Sequence, residues 1–313
     1  MTALNLDMPS FDEHLEAILE DCNERVNRSE ESGGSAEEYL DALIDRGSIL
    51  SMMEYYTSAV SDFDDAIEII SKIEREGRVT DAGMYVRAFI SRGELHGTEN
   101  PEQMAGDYAA ASLRLHELGD GSKYYDRKKM INKCLDCCED LIDAGYPGEV
   151  SVFIDKLYVM LAGHDDNWSK NRYVEMLNLS AQAMIGMKMD DRAFEFYSDA
   201  IEEGSRLLEK DSLEDLMSLI FPFVSRGDIE QERGLFDQYF ADRKAAISLL
   251  EELMSMNKLD DVQLLSKLHQ DVANTYLTLN KVKEAEEHLM REVMLNMDGA
   301  EEYIREYTDR NWD

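Results

Sequence analysis

Residues 43 to 69 read LIDRGSILSMMEYYTSAVSDFDDAIEI. Apolar residues recur in this stretch, and almost everywhere else in the chain, at three- and four-residue intervals, and no segment sustains the two-residue alternation of a half-buried strand. The chain therefore reads as all-α. Twelve positions after the small residue Gly47 comes the phrase Ala59-x3-Phe63-x2-Ala66, and the phrase returns. It is Met104-x3-Tyr108-x2-Ala111, then Val150-x3-Ile154-x2-Leu157, then Ala193-x3-Tyr197-x2-Ala200, at steps of 45, 46 and 43 residues. A weaker copy stands at Glu232, Phe236 and Tyr239, and a clearer one at Ala285 and Leu289.

Cys138, Ala181 and Ala273 hold the place of Gly47 before their own copies. Before Met104 the spacing selects Ala88, sixteen residues back, with Leu95 to Glu102 as an enlarged turn, and the Glu232 copy lacks small residues. A small side chain at this point lets two helix axes approach to about 8 Å while the aromatic residue of the second helix fills the adjoining groove. Gly33-Gly34, Gly77, Gly119 to Gly121 and Gly163 to Asn167 mark helix stops, and Ser10 with Glu13 and Ser35 with Glu38 have the spacing of a capping box.

These residues resemble the tetratricopeptide repeat (TPR), a helix-turn-helix unit with a small residue in its first helix and Ala-x3-aromatic in its second. The likeness is closest in Leu43 to Ile69, where Arg46-Gly47, Tyr56, Ala59, Asp62-Phe63 and Ala66 fall in the family's order, and Leu268 to Leu295 follows with Ala273, Tyr276 and Ala285. Its periods exceed the family's usual 34 residues. The resemblance implies a right-handed α-solenoid of about six repeats over residues 35–297. Residues 1–34 form an N-terminal helix and polar linker, and residues 298–313 a C-terminal capping helix, because a stack of repeats needs its end faces covered. The N-terminal helix has an alternative role, as an arm that occupies the groove until a partner arrives.

With 32 Lys and Arg against 67 Asp and Glu, the chain carries a formal charge of −35. Such a chain repels phosphate backbones and anionic lipid, so nucleic acid and membrane surfaces are poor partners and basic or neutral ones are favoured. The acidity has a second reading, as a bias of the whole proteome it comes from. Four prolines are roughly a quarter of the usual number for this length, as helices demand. The start of the chain has neither a basic nor an apolar run of a secretory signal, and the greasiest stretch, Leu216 to Val224, is interrupted by Ser218 and Pro222. Cys22, Cys134, Cys137 and Cys138 make no disulfide framework, and a reducing cytoplasm fits them.

Cys134-x2-Cys137-Cys138 puts three thiols on one helix face, where a metal would gather them. The same positions are the inter-helix packing positions of the third repeat, where free cysteine serves as a small hydrophobe, and no His or second Cys pair completes a site. The histidines at 14, 96, 116, 164, 269 and 288 share no motif, the Met184, Met187 and Met189 cluster reads as core filling, and no phosphate loop, nucleophile elbow or His-Glu-x-x-His helix occurs. No catalytic residue, metal or cofactor is expected, and the chain reads as a non-enzyme.

The first helix of each repeat is expected to line a concave groove. Counting from the small residues, the positions facing it are Tyr85 and Phe89, Leu135 and Glu139, Asn178 and Gln182, and Gln270 and Asn274. Asn and Gln offer a donor and an acceptor each and suit the backbone of an extended peptide. Tyr85 and Phe89 supply an apolar anchor, and Asp136 with Glu139 a seat for Lys or Arg. The plainer reading is that they are polar residues on a wet helix side. Repeats that clamp acidic termini put Lys and Arg at these positions, and these pairs hold none. The expected function is a protein interaction scaffold that grips a peptide or protein segment; the alternative is a regulatory sensor that folds over a small peptide or metabolite.

Overall fold

A computed structural model describes residues 11–31, 35–121, 126–259 and 262–311, the stretch from 297 on as backbone. Among these residues there are helices and turns and no strand. They fall into two compact units: the described residues of 1–164 with 182–187, and those of 165–181 with 188–313.

The first unit runs α1 (Phe11–Glu31), α2 (Ala36–Met52), α3 (Tyr56–Arg75), α4 (Ala82–His96), α5 (Pro101–Ser112), α6 (Arg127–Asp143), α7 (Pro147–Val150) and α8 (Ile154–Ala162). α2 opens on the expected capping box, with the Glu38 amide donating to Ser35 Oγ at 3.1 Å and the Ser35 amide to Glu38 Oε2 at 3.3 Å. The Ser10 and Glu13 pair lies partly outside the described residues. The second unit holds α9 (Asn167–Gly186, to residue 181), α10 (Asp190–Glu209), α11 (Met217–Glu232), α12 (Phe236–Ser255), α13 (Gln263–Thr278) and α14 (Val282–Asn311).

One register organises the hairpins. Gly47 of α2 lies against the Phe63 ring of α3 so closely that a Cβ there would stand 3.0 Å from it. Seven residues after the small residue comes a left-handed turn residue: Glu54, Gly145, Lys188, Gly234 and Asn280 follow Gly47, Cys138, Ala181, Gly227 and Ala273 at that spacing, and all have positive φ. The buried pairs of the second helices follow in step, Ala59 with Phe63, Ala193 with Tyr197, and Ala285 after Ala273, all with their Ala fully enclosed.

Two copies sit in a different register from the one their spacing suggests. The partner of Tyr108 is Gly93, not Ala88: a Cβ on Gly93 would stand 3.0 Å from the Tyr108 ring. The turn is not enlarged either, since α4 continues to His96 and a 3₁₀ turn, Gly97–Glu99, leads straight into α5. Gly93 to Tyr108 is one residue shorter than Gly47 to Phe63. In α11/α12 the copy at Glu232, Phe236 and Tyr239 is slipped by seven positions. Glu232 is exposed, whereas Tyr239, Arg243 and Ala246 are buried and stand in step with Gly227, the small residue that the chain does supply.

The corrected register exposes a repeated ion pair. The residue before each glycine is an arginine whose guanidinium forks onto an aspartate of the second helix. Arg46 donates from Nε and Nη2 to Asp62 at 2.8 and 2.6 Å, Arg92 to Asp107 at 2.9 and 2.6 Å, and Arg226 to Asp242 at 2.8 and 2.8 Å. These aspartates are buried, and a bidentate pair satisfies both oxygens at once. The cost of desolvating both charges offsets most of their attraction, so such pairs add little net stability.

Cys134, Cys137 and Cys138 of α6 are buried, as packing residues are. Burial pushes the Cys134 thiol up to about 12. At the far end, α14 runs unbroken to Asn311, so residues 298–311 continue the second helix of the last hairpin. The linker residues 32–34 and the last two residues lie outside the described set.

Candidate functional site

The first helices of the first unit, together with α1, enclose a cleft of about 780 Å³. The register decides which side chains face it. Six residues before, two before and one after Gly47 stand Asp41, Asp45 and Ser48 of α2; the same offsets from Gly93 give Arg87, Ser91 and Glu94 of α4. α6 contributes Lys129 and Lys133, and α1 forms a further wall with Ile18, Asp21, Cys22 and Arg25.

Asp45 is the centre of the cleft's polar network. Its Oδ2 accepts from Arg25 Nη1 and its Oδ1 from Arg87 Nη1, both at 2.7 Å. Arg25 Nη2 also donates to Asp41 at 2.7 Å, and Arg87 Nη2 to Ser48 Oγ at 2.8 Å. The hydrogen bond to Asp45 holds the Arg25 guanidinium firmly protonated. Lys133 pairs with Glu94, while the exposed Lys129 ammonium has no carboxylate partner among the described residues. Four cations thus meet four carboxylates in the lining, a neutral patch on a chain of charge −35. A second recess of about 460 Å³ adjoins it, shares Glu94 and Lys133, and adds Asp136 and Asp140.

The expected groove residues are only partly drawn together. Asp136 lies in the second recess and Glu139 is exposed nearby on α6. Tyr85 and Phe89 line neither opening: Tyr85 is buried, its ring 4.8 Å from that of Phe89 and under the Arg114 guanidinium at 5.1 Å. The five-residue displacement from Gly93 to Ala88 accounts for this, because Arg87, Ser91 and Glu94 occupy the corresponding places. Leu135 is core. Asn178 is buried and donates from Nδ2 to the Ser218 carbonyl at 2.7 Å, tying α9 to α11, whereas Gln182, Gln270 and Asn274 are exposed. Cations do enter the cleft, contrary to the expectation drawn from the misplaced pairs. Aligning Gly93 with Gly47 in the sequence would have found Arg87, Ser91 and Glu94.

The second unit has its own opening, of about 800 Å³, between α12, α13 and α14. Phe240 stacks on Tyr276 at 4.1 Å between ring centres and 10° between planes, and His269 and His288 bring their Nδ1 atoms to 3.0 Å. Burial, with His288 beside it, lowers His269 to about 4, so both rings of the pair are held neutral near pH 7. Among the described residues His269 Nε2 is enclosed without a partner. Among the described residues no group of three or more His, Cys, Asp or Glu is arranged to hold a metal, and no helix is long and apolar enough to cross a membrane.

The packing is that of successive helical hairpins, most of them turned by a left-handed residue seven positions after the small residue. No protein-family model matches the chain, and no curated protein matches its sequence. Solved structures similar to it include aspartyl phosphate phosphatase F from Bacillus subtilis, at 14% identity and TM-score 0.48 over 96% of this chain and 77% of that one. BtubC (BKLC) from P. vanneervenii is similar at 13% identity and TM-score 0.38, over 91% and 92%. The apo form of the quorum sensor NprR from B. thuringiensis is similar at 11% identity and TM-score 0.32, over 92% and 89%.

Proposed function

We propose that the chain is a non-enzymatic interaction protein of the cytoplasm that binds a peptide or protein segment in the cleft of its first unit. The cleft itself carries the reading: first helices of successive hairpins present polar and charged side chains at matching offsets around one opening, the kind of surface on which a segment's backbone and side chains find partners. Four buried cysteines suit a reducing compartment. A charge of −35 favours basic or neutral partners and speeds their approach, and Asp136, with the exposed Glu139, extends that preference beside the cleft.

Affinity capture from the cells of origin tests it. Ser91→Trp with Lys133→Glu should abolish capture of a partner that the unaltered chain retains, with the melting curve unchanged. Full capture by that variant would discard the cleft. The sensor reading draws on a different feature, the aromatic-floored opening of the second unit, whose volume suits a small ligand. It requires a ligand-dependent rise in melting temperature that Tyr276→Ala removes.

A further inference from the structure

The wall that α1 gives the cleft is attached differently from the rest of the unit. Three of its 21 residues are buried, Leu15, Cys22 and Val26, against six of 20 in α3. Its ionic hold on the cleft is Arg25, whose guanidinium spans Asp41 and Asp45, and all three side chains remain about one-third exposed. Ion pairs at that exposure each contribute no more than about 1 kcal/mol. Charge works against the helix as well. α1 carries eight carboxylates against Arg25 and Arg28, and the remainder of the chain is strongly acidic. Long-range repulsion therefore opposes the seating of α1, and the apolar contacts, the Arg25 fork, and two exposed bonds, Tyr39 to Glu30 at 2.6 Å and Arg46 to Asn23 at 3.5 Å, hold it. An element with few buried contacts is among the first to open.

The seat nonetheless spells out what it accepts. Apolar residues at i, i+7 and i+11 fill the α2 side, and an arginine at i+10 is read by two carboxylates. Resting on the cleft reading above, we infer that the α1 seat is the binding site for a basic amphipathic helix of the partner, which reproduces Arg25 and displaces α1. A cationic helix gains the same contacts and meets attraction where α1 meets repulsion. Release of α1 frees Asp41 and the Oδ2 of Asp45 for the incoming arginine, while Arg87 keeps its own bond to Asp45 Oδ1. A partner lacking the arginine leaves α1 in place.

The probe is a synthetic peptide of residues 11–31 in which Glu13, Glu16, Glu20 and Glu24, all exposed on α1, are replaced by Lys. Titrated into the full chain under reducing conditions, it should bind saturably, and amide protection of the chain's own residues 11–31 should fall on binding. Replacing the peptide's arginine, Arg25→Ala, should weaken binding about tenfold, the value of two charge-assisted hydrogen bonds at this exposure. Asp41→Asn with Asp45→Asn in the chain should weaken it similarly; the peptide substitution keeps the test decisive if that chain melts early. Binding indifferent to the peptide's arginine, or α1 protection that persists at saturation, overturns the inference. Partner capture that depends on Ser91 while α1 stays protected would sink this inference and leave the cleft reading standing.

Discussion

The hairpins α2/α3 and α11/α12 share a backbone register and solve its central problem with opposite chemistry. Both have an Arg-Gly pair in the first helix and an aspartate in the second, joined by the same forked ion pair. Next to that aspartate α3 supplies Phe63, a ring pressed on Gly47. α12 supplies Arg243, which is 2% exposed, donates to the Val224 carbonyl at 2.9 Å and to Asp228, and lies over the Tyr239 ring. Its Nε has no partner among the described residues. Three residues beyond the glycine the first hairpin has Leu50 and the other Glu230, whose carboxyl is pushed up to about 7 by burial and by the charge of Asp242. Helix spacing is thus set by volume and register, and the two positions tolerate either an apolar or a paired polar filler. The polar version makes its hairpin sensitive to pH.

The largest expected effect is at the filler. Phe63→Ala should destabilise by about 3–5 kcal/mol in chemical denaturation, since an enclosed ring is lost and a cavity left. Arg243→Met should change stability by less than about 1 kcal/mol or raise it, because an apolar side chain of similar volume removes a buried charge with an unmet donor. A large loss from Arg243→Met would show that the charge itself holds α11 to α12. The glycines should differ next. Gly47→Leu overpacks the Phe63 ring and should cost about 1–3 kcal/mol. At Gly227 the nearest atoms to an added Cβ are 3.7 Å away, so Gly227→Ala should be neutral or gain up to about 1 kcal/mol from helix propensity.

Smaller effects follow from titration. An acid raised from 4.5 to about 7 in the fold binds its proton more tightly there than in the unfolded chain. Its cost is absent below pH 4.5, accumulates as pH rises through 7 and is constant above, for a loss on the order of 1–3 kcal/mol. Glu230→Gln should remove that slope. His269, lowered from 6.5 to about 4, works in the opposite sense: its contribution is full above pH 6.5 and fades as pH falls toward 4. The difference between Glu230→Gln and the unaltered chain isolates the first slope from the second. The least change is expected at the α6 thiols. Native Cys134 and Cys137 should react with a disulfide reagent only as fast as the chain unfolds, their thiolates being suppressed by burial.

Helical class and the hairpin at Leu43 to Ile69 were legible because both rest on local signals, a 3.6-residue period and a small-aromatic spacing. The slip at Glu232 has a physical cause: with Arg243 in the ring's place, the apolar signature is missing, and Phe236 attracts the alignment instead. At α4 the competing cue was Ala88, a fully buried small residue one helical turn and a half too early. The turn signal was equally muted, since Glu54, Lys188 and Asn280 adopt left-handed geometry without being glycine. The cleft was the least legible part. Arg25, Asp45 and Arg87 stand 20 and 42 residues apart, and no periodicity in one helix reports a bridge among three.

The account turns on where a partner touches the chain. A photo-crosslinking amino acid placed in native cells at Ser91, in the cleft, and separately at Val159, an exposed apolar residue on α8 that is 74% accessible, compares the two surfaces directly. The register predicts a discrete crosslinked partner from Ser91 and none from Val159. Crosslinks from Val159 alone, or the same species in equal yield from both, would contradict it.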